Sequence, residues 1–511
     1  MLGRTQAVAL LGLEGSVVEV EAHVAIGLPA FVLVGLPDAS LAESRDRVRA
    51  ALANAGFPLP QRRVTVSLSP ASLPKTGSGF DLAVAVALLA AAERVDARSA
   101  ADAVHIGELG LDGRLRPVRG VLPAVRAAAL AGRRRVVVPA GNADEARLVA
   151  GVEVVAAVAL ADVVVAHGGV LPSGAQPPSD VVPHAVSDAR EADVVPDLVD
   201  VVGQRDARDA LEVAAAGGHH LFLLGPPGAG KTMLAARLPG LLPDLTDAEA
   251  VEVTAIHSVC GSFDAAHGLL RRPPFEDPHH TATPAAVVGG GVGLPRPGAA
   301  SRAHRGVLFL DEAPEFASSV LDALRQPLEH GELVIARARG VARYPARFQL
   351  VLAANPCPCG QASGKGLDCT CTAMARRRYL QKLSGPLMDR VDLQVEVRPV
   401  SRAAMAGEPG ETSAQVASRV RDARAGQAER LRGTGWRCNG EVPGPVLRGS
   451  LRLSSSATRL IDRCLDRGSL TARGYDRVLR VAWTLADLQG TGPVQDHVDR
   501  AWYLRTLGSA A

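Results

Sequence analysis

Between an apolar run, Leu221–Leu224, and a helix-compatible stretch lies the sequence Gly225-Pro226-Pro227-Gly228-Ala229-Gly230-Lys231-Thr232. Strand, glycine loop and helix stand in the order that phosphate cradling requires, which commits the middle of the chain to an α/β unit. In such a loop the backbone N–H groups close around β- and γ-phosphates, Lys231 brings a point charge to them, and the Thr232 hydroxyl is a ligand for Mg2+. The full eight-residue match points to a nucleotide hydrolase over a plain glycine turn.

Two further apolar runs end in the residues that such a site lacks. Val307–Leu310 runs into Asp311-Glu312 and reads as a buried parallel strand delivering two carboxylates to the sheet's carboxyl edge. Asp311 is then placed to hold Mg2+ through water, and Glu312 to orient and deprotonate the attacking water. Phe348–Ala354 ends in Asn355, whose amide can contact the γ-phosphate or that water. Three strands ending in Lys/Thr, Asp/Glu and Asn describe one ATP site.

At 511 residues the chain exceeds what one hydrophobic core organises, so roughly two to four domains are expected. With only 3% aromatic residues the cores must be built from Ala, Val and Leu, and aromatic stacking platforms for nucleic acid are not expected. Of the 56 basic residues only four are lysines, a skew toward Arg that reflects coding bias and does not by itself argue for DNA. No apolar run reaches the roughly 20 residues of a membrane span, and the opening residues lack a basic region and a cleavage site, so a cytoplasmic location is expected.

Seven cysteines in a chain of this size argue against a disulfide framework. Cys357 and Cys359, with Cys369 and Cys371, form two Cys-x-Cys pairs on one short stretch. Four thiolates so placed suit a tetrahedral structural Zn2+, with reduced thiols or a redox pair as the alternatives. Cys260, Cys438 and Cys464 are isolated and read as core residues.

Residues 1–167 alternate short apolar runs with Ala-rich helical stretches and read as an α+β domain. Residues 168–197 are rich in Gly, Pro, Ser and Asp, the signature of a linker. Residues 198–400 form the α/β unit, and 401–511 carry helical periodicity with few strand signals. Within the α/β unit, Pro273–Gly298 reads as a loop. Glu332–Phe348 reads as a β-hairpin with Arg337, Arg339 and Arg343 near its tip, a candidate DNA contact or a solvated ribbon.

Taken together, these segments resemble the YifB/ComM family of magnesium-chelatase-like AAA+ ATPases over nearly the whole chain. Besides the phosphate loop and Gly306–Glu312, the likeness rests on Val201–Gln204, Asp277–Thr281, Ala354–Gly360, Ser384–Leu393 and Leu470–Leu488. It implies a P-loop AAA+ module with a helical lid, preceded by a Lon-protease-like α+β domain, and assembly into hexameric rings. For ComM-type members it implies a DNA helicase that promotes branch migration during natural transformation. By motif, Val202, Gly203 and Gln204 would sit near adenine. Arg390 resembles the arginine finger that reaches a neighbour's γ-phosphate, and Arg473 resembles the lid's sensor arginine. An ion pair with Asp389 or Asp392 is the alternative for Arg390.

The chain departs from that pattern in two places. Glu276 and Asp277 stand where a basic residue and alanine would be expected, and acidic groups there would weaken a phosphate contact. The adjacent His279 and His280 would point in divergent directions, which favours a loop role over a metal site. In the amino-terminal region Gly79 and Ala124 occupy the places of a Ser–Lys dyad, while Ser78 is one position early and Lys75 lies elsewhere, so an inactive scaffold is expected. The leading expectation is a hexameric ATP-driven DNA motor. A chelatase-type ATPase that remodels a protein partner shares every nucleotide motif, and an ATP-dependent protease is disfavoured by the missing dyad.

Overall fold

The chain opens with residues that alternate between buried and exposed, and in the computed structural model they form β1 (Leu2–Leu11), joined by a two-residue turn to β2 (Glu14–Ala25). The structure describes residues 1–506 apart from 36–38, 76, 174–177, 184–195, 292–294, 338–339, 363–367, 401 and 403–409. Next come β3 (Ala30–Val34), β4 (Arg63–Ser69), β5 (Ala103–His105), β6 (Glu108–Leu109), β7 (Leu115–Arg116), β8 (Arg135–Pro139) and β9 (Glu153–Ala157). Seven strands make one mixed sheet in the order β3-β4-β2-β1-β5-β8-β9, while β6 and β7 pair separately. Helix Asp81–Ala91 packs on β1 and β2 and is buried along its entire length, as its almost wholly apolar sequence demands. Lys75 and Ser78, which the sequence does not join as a dyad, find different partners: the Pro70 carbonyl and the Glu108 carboxylate.

The second sheet is built from β10 (Leu221–Leu224), β11 (Phe275–Glu276), β12 (Val307–Leu310), β15 (Gln349–Ala354) and β16 (Leu393–Glu396), with the hairpin β13 (Glu332–Arg337) and β14 (Gly340–Pro345) alongside. Its order is β11-β12-β15-β10-β16 and every pairing is parallel. Successive residues of these strands enter different cores. Leu223, Phe309 and Val351 face helix Arg205–Gly217 and the carboxy-terminal helices, while Phe222, Leu308 and Leu350 face the opposite layer. Burial on both faces is why the strands read as unbroken apolar runs.

Helices Ser413–Arg430, Ser455–Asp466, Ala472–Leu488 and Gln495–Arg505 follow, and no strand occurs beyond β16 among the described residues. Their apolar stripes at Val416, Ile461, Val478 and Val498 close onto the same core as β10 and β16. Thr412 with Gln415, and Thr471, cap the starts of two of them, a local signal readable in the sequence. No helix among the described residues is long and apolar enough to cross a membrane.

The stretch Pro273–Gly298 is not the plain loop expected. It contributes β11 to the sheet edge and a short helix, Pro284–Val288. Phe275 stacks on Phe309 with ring centroids 6.0 Å apart, and the buried Glu276 carboxylate accepts from Arg302 at 2.8 Å. Two residues of pairing are too few for periodicity to betray a strand. Glu276 is therefore a buried ion-pair partner and not a charge facing phosphate.

The two sheets meet at helix Asp247–Cys260 and at the hairpin. Gly120 N–H donates to the Ser258 carbonyl at 3.2 Å, and the Ser258 hydroxyl donates to Glu145. Ile335, Ala342 and Tyr344 of the hairpin close around Leu13 in the β1–β2 turn. At neighbouring Gly12, φ is +68° and a Cβ would come within 2.9 Å of the Arg343 carbonyl oxygen, so only glycine fits.

Candidate functional site

Register aligns Leu224 with Ala354 and Leu310 with Leu352, so the loop after β10, the acidic pair after β12 and Asn355 after β15 leave the sheet at one carboxyl edge. The Lys231 ammonium donates to the Gly225 carbonyl at 2.7 Å, to the Pro226 carbonyl at 2.9 Å and to the Asn355 amide oxygen at 3.0 Å. Burial pushes its pKa below the ordinary lysine value, against the opposing pull of Asp311 and Glu312. Thr232 Oγ1 donates to Asp311 Oδ2 at 2.6 Å. These are hard oxygen donors, the kind Mg2+ takes together with waters and phosphates, so the donor set fits that ion.

Glu312 adopts φ +49° and Gln204 φ +52°, a left-handed conformation uncommon outside glycine and one that clusters at functional sites. Gln204 Nε2 donates to the Ala229 carbonyl at 3.1 Å and to the Arg398 carbonyl at 2.5 Å, which ties Val202-Gly203-Gln204 to the phosphate loop Gly225–Thr232. The sequence did not disclose one contact. His280 Nδ1 lies 3.3 Å from Glu312 Oε2. The rings of His279 and His280 lie 4.1 Å apart, so they do not diverge as expected; His279 Nδ1 instead bonds the Thr281 hydroxyl at 2.8 Å. β11 pairs in parallel with β12, so the segment that leaves β11 and carries His280 runs toward the same sheet edge as the acidic pair.

Arg390 and Arg473 sit at the other end of the sheet. Arg390 precedes β16, whose first residue, Leu393, is level with Leu221 at the start of β10. A four-residue strand spans about 13 Å, so the depth of the sheet separates these arginines from Lys231. Neither of the ion pairs considered for Arg390 forms: it binds the Glu329 carboxylate and the Pro386 carbonyl. Asp389 pairs with Arg473 at 3.4 Å, and Asp392 with Arg477 at 2.6 Å. Burial lowers the Arg390 pKa, helped by Arg473, Arg477 and Arg325 nearby. Burial works against the Asp392 carboxylate, yet Arg477 and His219 hold its pKa well below the usual range. The arginines line a cleft of about 790 Å3 beneath the sheet. Arg473 thus stands beside Arg390 and away from the phosphate loop of its own chain.

The four grouped cysteines converge, their ligand atoms all within 4.8 Å of one another. The hairpin arginines do not. Arg337 pairs with Gly340 at the tip, whereas Arg343 pairs with Val334 nearer the base and forms an ion pair with Glu332 at 3.0 Å. By the two-residue alternation of a strand, Arg337 lies on the face that buries Ile335 and Arg343 on the opposite one. Arg339 lies outside the described residues.

Known proteins match the chain along most of its length. Residues 197–405 match the family described as magnesium chelatase, subunit ChlI, residues 20–142 match subunit ChlI of Mg-chelatase, and residues 410–505 match the ChlI C-terminal family. An uncharacterized protein of Mycobacterium tuberculosis is 53% identical over 99% of both chains. Competence protein ComM of Haemophilus influenzae is 42% identical over 98% of this chain and 96% of its own length. The uncharacterized protein YifB of Escherichia coli is 40% identical over the same shares. Kinship of this depth over nearly the full length fixes the family: the chain belongs to the magnesium-chelatase-like proteins of the YifB/ComM type.

Proposed function

We propose that the chain is an ATP-hydrolysing AAA+ motor that assembles into a hexameric ring and acts on single-stranded or branched DNA. One observation carries the ATP half of this reading: Lys231, Thr232, Asp311, Glu312 and Asn355 meet at one sheet edge, joined by bonds of 2.6 to 3.0 Å. In that arrangement Lys231 and the loop amides bind the β- and γ-phosphates, and Glu312 takes the proton of the attacking water. Asn355 orients that water or the γ-phosphate. Thr232 and Asp311 are the residues that would hold Mg2+, which neutralises charge on the phosphate oxygens. Val202, Gly203 and Gln204 are assigned to the base.

The arginines support the ring. Arg390 and Arg473 lie a sheet's depth from their own phosphate loop, so the positive charge they offer is suited to the γ-phosphate of a neighbouring subunit. The DNA half rests on full-length similarity to a competence protein and on the exposed Arg343 of the hairpin. Binding through phosphates would be independent of sequence and would weaken with salt.

The deciding experiment measures ATP hydrolysis and strand displacement with and without forked DNA. Stimulation is expected, together with loss of nucleotide-dependent activity in Lys231→Ala and slow hydrolysis with retained ATP binding in Glu312→Gln. Normal turnover by either variant would remove the site assignment. Indifference to every DNA tested would favour a chelatase-type remodeller of a protein partner.

A further inference from the structure

A thiol cluster that the ATP chemistry does not use lies against the phosphate loop. Cys357 Sγ is 3.3 Å from Cys359 Sγ and 3.7 Å from Cys369 Sγ, and Cys359 Sγ is 3.7 Å from Cys369 Sγ. A tetrahedral thiolate site with Zn–S bonds near 2.3 Å has sulfur–sulfur edges of about 3.8 Å. Three edges thus lie at or a little under the length that a ZnS4 tetrahedron requires, and Cys371 Sγ stands within 4.8 Å of the other three sulfurs as the fourth ligand. Four soft thiolates select Zn2+ over hard cations and leave it no open position for water or substrate.

The position of the cluster gives it a second significance. Cys357 is buried and stands two residues after Asn355, the acceptor of the Lys231 ammonium. Gly360 N–H donates to the Cys357 carbonyl at 2.9 Å, and this turn comes so close to the phosphate loop that a Cβ on Gly360 would lie 2.5 Å from the Pro227 ring. Cys371 immediately precedes Thr372, which caps helix Ala373–Gln381 by accepting from Ala375 N–H at 3.1 Å. Metal bound by all four thiolates would clamp the end of β15, the Gly360 turn and the start of that helix into one block behind the nucleotide.

We propose that Cys357, Cys359, Cys369 and Cys371 bind one structural Zn2+ that braces the ATP site, through Asn355 to Lys231 and through Gly360 against Pro227. The metal site stands on the sulfur geometry alone; its influence on nucleotide binding rests on the ATP reading above.

The test uses the full chain made without a metal-binding tag. Elemental analysis should find about one Zn2+ per chain. Cobalt exchanged into the site should give the intense visible absorption of a tetrahedral thiolate centre. Cys359→Ser and Cys371→Ser should lose the metal, and their affinity for a fluorescent ATP analogue should fall about tenfold. Because a serine variant can fail for want of folding, the parent is also stripped with a chelator and reloaded with Zn2+. Analogue affinity should fall and then return while the circular dichroism of the chain is retained. Absence of zinc, with all four thiols alkylated as freely as in a peptide, overturns the site. Stripping that leaves analogue affinity unaltered overturns the brace. Lys231→Ala should keep its zinc, so failure of the ATP reading would register in the parent's hydrolysis and not in the metal content.

Discussion

A single carboxylate and its neighbours define the chemistry at the residue scale. Glu312 is held in a left-handed backbone conformation, and its side chain meets His280 at 3.3 Å, across from β11. On the ATP reading proposed above, Glu312 deprotonates the attacking water, and an imidazole that engages its carboxylate sets the direction of that carboxylate, which gives His280 a positioning role. His280→Ala should lower kcat about tenfold, a fraction of the 10²–10⁴ that a positioned base supplies, while the affinity for ATP stays near that of the parent. His280→Asn, which retains a donor, should recover part of the loss. Equal falls in ATP affinity and kcat in both variants would mean that His280 merely supports the fold. The convergence of Lys231, Thr232, Asp311 and Asn355 was legible in the sequence because they follow three apolar runs, Lys231 and Thr232 sharing the first. The contact of His280 with Glu312 was not, because it depends on a two-residue strand pairing that leaves no periodicity. The partners of Arg390 were hidden for a related reason: Glu329 reaches it through folding, whereas Asp389 and Asp392 are only its neighbours in sequence.

The hairpin poses the question at the scale of an element. Alternation along Glu332–Phe348 announced a two-stranded ribbon, and the ribbon is there, but alternation cannot say which of its faces is covered. Ile335, Ala342 and Tyr344 pack inward, and the Tyr344 hydroxyl donates to the Pro295 carbonyl at 2.6 Å. The exposed face carries Arg343 and Val341. Arg337, on the other face, is also exposed because it stands at the tip, so a DNA contact by this ribbon should draw on both arginines. Replacing Arg337, Arg339 and Arg343 together by alanine should bring the stimulation of hydrolysis by DNA toward none and flatten the salt dependence of binding, since fewer phosphates release counterions. Its cost in stability should stay under about 1 kcal/mol, because the Arg343–Glu332 pair is largely exposed. Arg337→Ala and Arg343→Ala should each weaken binding in fluorescence-anisotropy titrations by less than the triple variant; a triple variant that binds and unwinds forked DNA like the parent would make the ribbon a surface ornament.

Across the whole molecule, the separation of Lys231 from Arg390 sets the prediction. Mixing Lys231→Ala chains with Arg390→Ala chains should restore hydrolysis, because about a quarter of the interfaces in a randomly mixed ring join an intact loop to an intact arginine. Mixed rings that assemble and stay silent would show that Arg390 does not act between subunits. The α/β order of the middle and the helical character of the end were readable from apolar runs and caps. That the last helices share one core with β10 and β16 was not, since their amphipathic stripes do not name the surface they close upon. The contact between the two sheets was equally invisible. Yet at Gly12 the backbone of Arg343 approaches too closely for any side chain, and Leu13 fills the pocket between Ile335 and Tyr344. The amino-terminal sheet and the ribbon are thus mechanically coupled: on the motor reading proposed above, a force that drags the ribbon would also load the β1–β2 turn.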